Sequence, residues 1–221
     1  MRILYKFASR SRPEKFIQAV ENIYVNQRHD DYTILATLDI DDATMNNETM
    51  IEKMKRYDKL YPVFSHSANK IEAYNRDMQL APEWDLGILM SDDMLFVKNG
   101  FDREIIQDME EAFADGDGFL HYSDGNQGAN VCTMSILTKK YYDRFGYWYH
   151  PSYTSLWCDN EATDVAKNLG RYKYFDKILF RHSHPAWGLG VMDDLYLRNE
   201  SRVNWDKDER NYNERKANGF K

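Results

Sequence analysis

The stretch LGILMSDD, Leu86 to Asp93, joins a strand-like run to two adjacent aspartates. Leu86 to Met90 carries no polar side chain, which is typical of a strand in a parallel sheet that is covered on both faces. Asp92 and Asp93 come directly after this run. In open α/β sheets, ligands bind outside the carboxyl ends of the strands. The stretch therefore predicts a parallel sheet and also the edge of that sheet at which a ligand binds.

Strand-like and helix-like patterns alternate through the first half of the chain. Further strands are predicted at Ile3 to Phe7, Tyr32 to Leu38 and 62–66. Helices are predicted at Glu14 to Gln27, Glu48 to Leu60 and Lys70 to Leu80. Strands that alternate with helices imply right-handed crossovers and a largely parallel sheet. We predict an α/β fold with a Rossmann-like, mostly parallel central sheet flanked by helices.

The second half of the chain is less regular. Helices are predicted at Phe101 to Ala114 and Asp159 to Leu169, with strands in GFLHYSDG (118–125) and NVCTMSILT (130–138) that suit a smaller mixed sheet. The sequence contains no repeat and no Ser/Gly linker. We predict one domain, 1–221, with a ligand-binding half at 1–97, a second half at 98–190 and a helical C-terminal tail at 191–221.

Composition narrows the classes of protein. The 221 residues carry a formal charge of −7, which argues against nucleic-acid binding through the whole surface, although a local basic face remains open. The two cysteines, Cys132 and Cys158, lack the spacing of a zinc site and suit buried thiols in a reducing compartment. The N-terminus has no signal-peptide pattern, and no apolar run has membrane-spanning length. These features predict a cytoplasmic protein with no membrane span.

Acidic side chains end two neighbouring strands. Asp92 and Asp93 offer hard oxygen donors suited to Mg²⁺ or Mn²⁺. Asp39, Asp41 and Asp42 end the second strand in the same way. Two converging clusters of like charge repel unless they bind a cation or accept hydrogen bonds from ligand hydroxyl and base N–H groups. The alternative for each cluster is a solvated turn with a capping aspartate.

Basic side chains follow the first strand and open the third helix. Ser9, Arg10 and Arg12 lie just before a helix N-terminus, a position suited to phosphate or nucleotide. Lys70 adds a positive charge near the same edge, or is a solvated surface lysine. No Gly-rich phosphate-binding motif is present, so a P-loop or a dinucleotide site is not supported.

Two further groups of polar residues lie in the second half. His182 and His184 are two residues apart, so on an extended segment both imidazoles project from one face and suit a metal ligand with a neighbour that orients it. Asp159 and Glu161 lie near a predicted helix N-terminus, where carboxylates are favoured for dipole reasons alone. The functional alternative for this pair is a general base beside a pocket.

Taken together, these motifs resemble those of GT-A glycosyltransferases, and family 2 nucleotide-sugar transferases most of all. The matching segments occur in order: SRSRPEKF, DIDDAT, NKIEAYNRDM, ILMSDDM, and WCDNEATDVA followed by RHSHP. They cover most of residues 1–190. In that family a DxD motif at a strand end binds a divalent cation on the donor diphosphate. Here Ser91 stands at the first position of the motif, so the resemblance assigns Asp93 as the metal ligand.

The resemblance also implies roles for other residues. Ser9, Arg12 and either Asp41 or Asp42 would contact the nucleotide. Lys70 and Asn75 would lie near donor groups, and His184 or His182 would complete the metal shell. Asp159 is the candidate base, with Glu161 second.

The predicted activity is metal-dependent transfer of a sugar, from a UDP-sugar in preference, to an acceptor hydroxyl. The acceptor would be a glycan, a small molecule or, since compact chains of this kind also occur in viruses and phages, a hydroxymethylated base in DNA. In that viral case the chain would act in the host cytoplasm, and a basic face would be expected from Arg198, Arg202, Lys207, Arg210, Arg215 and Lys216. The alternatives are a non-catalytic nucleotide- or carbohydrate-binding protein and a metal-dependent phosphoesterase or nucleotidyltransferase.

Overall fold

A seven-stranded sheet forms the centre of the protein in a computed structural model that describes all 221 residues, Met1–Lys221. The nine strands are β1 (Ile3–Ser9), β2 (Tyr32–Asp39), β3 (Leu60–Ser65), β4 (Leu86–Met90), β5 (Met94–Phe96), β6 (Phe119–Ser123), β7 (Ile136–Thr138), β8 (Tyr172–Ile178) and β9 (Phe180–His182). The eight α-helices are α1 (Pro13–Asn26), α2 (Glu48–Met54), α3 (Lys70–Asn75), α4 (Phe101–Ala112), α5 (Lys139–Asp143), α6 (Cys158–Asn168), α7 (Asp194–Asn199) and α8 (Arg202–Ala217).

The strand order confirms the predicted mostly parallel sheet. It is β3-β2-β1-β4-β7-β6-β8, in which β7 alone runs antiparallel to its neighbours. β1 pairs in parallel with β2 on one side and β4 on the other, so the chain reverses its direction of travel across the sheet at β1. In such sheets a crevice opens where the strand order reverses, at the carboxyl ends of the strands. This crevice lies between the loops after β1 and β4.

Both faces of the sheet are covered. Along β1, Ile3, Tyr5 and Phe7 pack into a core cluster of 28 buried residues that includes residues of α1 and α4. Leu4 points the other way, into a cluster of 17 buried residues shared with α3, α5 and α6. This two-sided burial is the reason that the strands read as continuous apolar runs. The second-half strands β6, β7 and β8 extend the same sheet, and a small antiparallel sheet pairs β5 with β9.

Two predicted helices end earlier than expected. Helix α2 ends at Met54 instead of Leu60, because the backbone of Leu60 pairs with β2 and starts a strand. Helix α3 ends at Asn75 instead of Leu80, because the next two residues leave helical geometry and Asp77 has a left-handed φ of 69°. The guanidinium of Arg76 donates to the carbonyl oxygens of Leu38 and Ser65 at the ends of two strands, which holds the chain in this turn.

The segment after β9 packs back onto the sheet edge. A 3₁₀ turn at Pro185–Trp187 leads to α7 and α8, in agreement with the helices predicted for the C-terminal segment. No helix of the protein has the length and apolar character needed to cross a membrane.

Candidate active site

The carboxyl ends of β1 and β4 are joined through Asp92. Its carboxylate accepts hydrogen bonds from the Ser9 hydroxyl (2.6 Å) and from the Arg12 guanidinium (2.9 Å). Arg12 also binds Asp193, at 2.7 and 2.8 Å, so it bridges the strand ends and the C-terminal segment. Burial and the charge of Asp93 raise the pKa of Asp92 to about 6, with Arg12 opposing. Asp92 therefore ties the ends of β1 and β4 to Arg12, and each of its two oxygens accepts a hydrogen bond from the protein.

Asp93 lies at the centre of the crevice. The hydroxyls of Ser91 and Tyr196 both donate to its carboxylate, and Nε2 of His182 lies 3.4 Å from its Oδ2. Burial raises the pKa of Asp93, but the neighbouring His182 and the two hydroxyl donors outweigh this effect and hold it below its usual value. Asp93 is consequently an ionised carboxylate across the neutral pH range.

The Asp93 carboxylate and the His182 imidazole are suitably spaced to bind a divalent cation. Two cis ligands of an octahedral ion with bonds of about 2.1 Å lie about 3 Å apart, close to the observed separation of Asp93 and His182. No group of three or more His, Cys, Asp or Glu side chains in the protein is arranged to hold a metal ion, so a cation beside Asp93 and His182 would need further ligands from a bound diphosphate or from water. His184 is the less suitable histidine, because its Nε2 pairs with Glu200 at 2.6 Å.

The end of β2 presents a second acidic group. Arg10 binds Oδ2 of Asp39 at 2.8 Å and the carboxylate of Asp41 at 2.7 Å. Oδ1 of Asp39 is buried and has no hydrogen-bond partner; its nearest cation, Arg76, lies at 3.6 Å. Because a buried carboxylate oxygen without a donor is costly, this atom is a candidate acceptor for a ligand N–H. Asp42 does not line the crevice: it accepts hydrogen bonds from the backbone of Ser11 and from Thr44.

The two predicted residues of α3 have different surroundings. Lys70 lines the crevice and makes no hydrogen bond or ion pair with the protein. Burial lowers the pKa of Lys70, but nearby acidic groups, Asp159 and Asp93 among them, outweigh it and keep the amine charged. Asn75 lies outside the crevice and bonds the backbone of Trp148 and Tyr149, at 2.6 to 3.2 Å. Asn75 thus braces the aromatic segment, while Lys70 is an unpaired cation.

The two candidate bases, Asp159 and Glu161, lie in different surroundings. Asp159, in the first turn of α6, lines the crevice, and burial raises its pKa against the opposing charge of Lys70. A raised pKa suits a carboxylate that accepts a proton. Glu161 faces away from the crevice, where it forms a bidentate ion pair with Arg215 at 2.7 and 2.9 Å and accepts a hydrogen bond from Tyr153. Of the pair, only Asp159 can reach a ligand.

The crevice has a volume of about 290 Å³. All the predicted site residues except Asp42, Asn75 and Glu161 line it. Sequence reasoning missed the part of its wall that comes from the C-terminal segment. Tyr196 packs under the Arg12 guanidinium, 4.0 Å from its ring centre, and Arg198 and Glu200 also line the crevice. The one local signal was the capping aspartate Asp193 before a short helix, and that signal predicts a helix and not a site.

Comparisons with known proteins identify structures of similar fold. No protein-family model matches the chain, and no curated protein matches it by sequence. Among solved structures, a mannosyltransferase from Pyrobaculum calidifontis in complex with GDP-Man and Mn²⁺ is similar, with a TM-score of 0.58 and 12% identity over 94% of this chain and 72% of that one. Residues 1–349 of S. aureus TarS in complex with UDP-GlcNAc are also similar, with a TM-score of 0.65 and 13% identity over 88% of this chain.

The chain spans 60% of the length of that TarS structure. At this level of identity the likeness concerns the fold alone. The protein has the GT-A fold of these nucleotide-sugar glycosyltransferases.

Proposed function

We propose that the protein is a metal-dependent glycosyltransferase that moves a sugar from a nucleoside diphosphate to an acceptor hydroxyl. The observation that carries the proposal is the convergence, in one crevice of a GT-A fold, of a cation-binding pair, an unpaired cation and a partly buried carboxylate. These are Asp93 with His182, Lys70, and Asp159.

Each part of the crevice has a role in this proposal. A Mn²⁺ or Mg²⁺ ion held by Asp93 and His182 would neutralise charge on the donor diphosphate. Lys70 would stabilise the negative charge that develops on the leaving diphosphate as the bond from the anomeric carbon to its oxygen breaks. Asp159 would take the proton of the acceptor hydroxyl as that oxygen attacks the anomeric carbon. Residues 1–97 would hold the donor, and 98–190 would shape the acceptor side.

The unpaired oxygen of Asp39 supports a UDP-sugar as the donor. Oδ2 of Asp39 is bound by Arg10, which leaves Oδ1 as a single acceptor at the end of β2. Uracil presents one N–H on its pairing edge, whereas guanine presents two neighbouring donors that would require both oxygens of a carboxylate. One free oxygen fits uracil better.

The acceptor is proposed to be a glycan or a small molecule in preference to DNA. A DNA acceptor would call on a basic face near the C-terminus, but Arg215 pairs with Glu161 and Lys216 with Asp164 at 2.8 Å. Arg202 pairs with Asp206 at 2.9 Å within its own helix. Ion pairs thus neutralise three of the six basic residues of this face and leave Arg198, Lys207 and Arg210, which reduces the charge available to contact phosphates.

The test is thermal unfolding of the pure protein with UDP or GDP, each with Mn²⁺, Mg²⁺ or EDTA, followed by product analysis with UDP-sugars. We expect a metal-dependent stabilisation by UDP of about 2.7 kcal/mol at 100 times the dissociation constant. Asp93→Asn should abolish the metal dependence, and Asp39→Asn should weaken UDP binding. Asp143→Asn, which alters an exposed carboxylate far along the chain from both, is the matched control.

The products decide between the proposal and its alternatives. Transfer or hydrolysis that releases UDP and free or transferred sugar supports a glycosyltransferase. Release of a sugar phosphate would show cleavage of a P–O bond and would indicate a phosphoesterase or nucleotidyltransferase. Binding of UDP without any turnover would indicate a non-catalytic binding protein.

A further inference from the structure

Helix α8 holds the loop before α6 through one buried carboxylate. Asp208, which is 0% exposed, accepts hydrogen bonds from the backbone N–H groups of Thr154 (3.0 and 3.2 Å), Ser155 (2.8 Å) and Leu156 (2.9 Å). Consecutive N–H groups that point at one anion form a concave binding site for negative charge. The carboxylate thereby fixes the course of the backbone over these residues.

The residue that follows this loop has a strained backbone. Trp157 has a left-handed φ of 62° just before α6, a conformation that is rare for a bulky residue. Its ring packs against Trp205 and Tyr212 of α8, with ring centres 5.5 and 5.3 Å away. Strained backbone of this kind persists only where the surroundings determine it. Here α8 supplies those surroundings.

The strained turn decides where α6 begins and where its first carboxylate points. Asp159 lies two residues beyond Trp157, and Ser155, Leu156, Cys158 and Asp159 all line the crevice. Resting on the function proposed above, we infer that Asp208, with the rings of α8, is a positioning device that aims Asp159 at the acceptor hydroxyl. Asp208 lies outside the crevice and does not contact the ligand; it acts through the loop.

Other contacts between α8 and α6 do not serve this purpose. Arg215 binds Glu161, and Tyr212 and Lys216 bind Asp164 at 2.7 and 2.8 Å. These pairs hold helix α6 itself, Glu161 in its first turn and Asp164 further along, and neither contacts the loop at 154–157. Docking of α8 therefore has several supports, whereas the loop at 154–157 has Asp208 as its only carboxylate. This difference provides a matched control.

The experiment compares Asp208→Asn with Asp164→Asn. Asparagine keeps the shape of Asp208 but replaces one acceptor oxygen by an N–H₂ group that faces backbone donors. We expect kcat for sugar transfer to fall at least tenfold in Asp208→Asn. The KM for the donor and the UDP–Mn²⁺ thermal shift should stay within twofold of wild type, since the ends of β1, β2 and β4 form the nucleotide part of the crevice. Asp164→Asn should leave all three values near those of wild type.

Amide hydrogen exchange supplies a readout that does not depend on turnover. Exchange at 154–157 should speed up in Asp208→Asn and not in Asp164→Asn. If Asp208→Asn does not fold, Trp205→Ala, which removes a half-exposed ring from the same support, should show the same change in kcat and exchange to a smaller extent.

The outcomes separate this inference from the proposed function. Wild-type turnover with an unchanged kcat in Asp208→Asn, or an equal loss in Asp164→Asn, would overturn the positioning role alone. A loss of donor binding that matches the loss of kcat would also overturn it, since the defect would then be general. Absence of transfer by the wild-type protein with every nucleotide sugar would overturn the proposed function, and this inference with it.

Discussion

Lys6 lies in the middle of β1 with 0% of its surface exposed, and its amine contacts Thr37 Oγ1, which in turn donates to Asp77 at 3.0 Å. Desolvation by burial lowers the pKa of Lys6 to about 7, against an ordinary value of 10.5, although Asp77 opposes the shift. Between these two values the unfolded chain keeps a proton on Lys6 that the folded protein has released. The free energy of unfolding should therefore rise with pH across that interval.

The perturbation is Lys6→Met, which removes the titration and keeps a side chain of similar length. One proton per molecule corresponds to about 1.4 kcal/mol per pH unit. The stability of wild type relative to the variant should thus increase by about 2.7 kcal/mol between pH 7.5 and 9.5. Below about pH 7 the difference should be constant, because Lys6 is then charged in both states. Thr37 and Asp77 remain bonded to each other in the variant.

Urea unfolding of both proteins at half-unit intervals from pH 6 to 10 measures this difference. The burial of Cys132 and Cys158 raises the pKa of both thiols, and these groups also titrate in the unfolded chain above pH 8. They are the same in both proteins, so the difference between the two curves isolates Lys6. Curves that stay parallel within about 0.5 kcal/mol over this range would refute the reasoning.

Two further substitutions test the packing around β4 and the ion pair between α6 and α8. Gly87→Ala should destabilise the protein by about 1–3 kcal/mol, because the new methyl group would lie 2.5 Å from the ring of Trp148; an unchanged urea midpoint would contradict this. Arg215→Met should cost about 3–5 kcal/mol, because it leaves the buried Glu161 charge unpaired, and adding Glu161→Gln should recover most of the loss. Lys139→Met, which breaks the exposed pair with Asp143, is the control for the second substitution and should change the stability by less than about 1 kcal/mol. If Arg215→Met destabilised the protein no more than Lys139→Met, the prediction would be wrong.

The sheet was the most predictable part of the fold. Strand β4 has the predicted bounds, Leu86–Met90, and α1 is displaced from its prediction by one residue at each end. Strand β4 is an uninterrupted apolar run, and α1 has a regular helical spacing of apolar residues and begins at Pro13. The helix predicted at 70–80 was broken by contacts that no local pattern shows, because the turn at Asp77 depends on strand ends far away in the chain.

The same distinction applies to the candidate site. Residues at the ends of β1, β2 and β4 could be placed together from sequence, since parallel topology alone brings the carboxyl ends of strands to one edge. Tyr196 and Asp193 could not, because their partners are 103 and 181 residues away and neither contact leaves a periodic signal. Lys6 interrupts an otherwise apolar strand, and only the fold shows that it is buried.

The ion pair between Arg12 and Asp193 can form only late in synthesis, so the crevice is completed after most of the chain has been made. These residues are separated by 181 positions, so at 5–20 residues per second a ribosome delivers the second roughly 10–40 s after the first. Once Met90 has been made, β1, β2 and β4 are all available to form the sheet for the rest of that time, while Asp93 still lacks the hydroxyl of Tyr196. The crevice is thus completed after the sheet that supports it, and a nascent chain that stalls before α7 presents acidic strand ends with nothing to close over them.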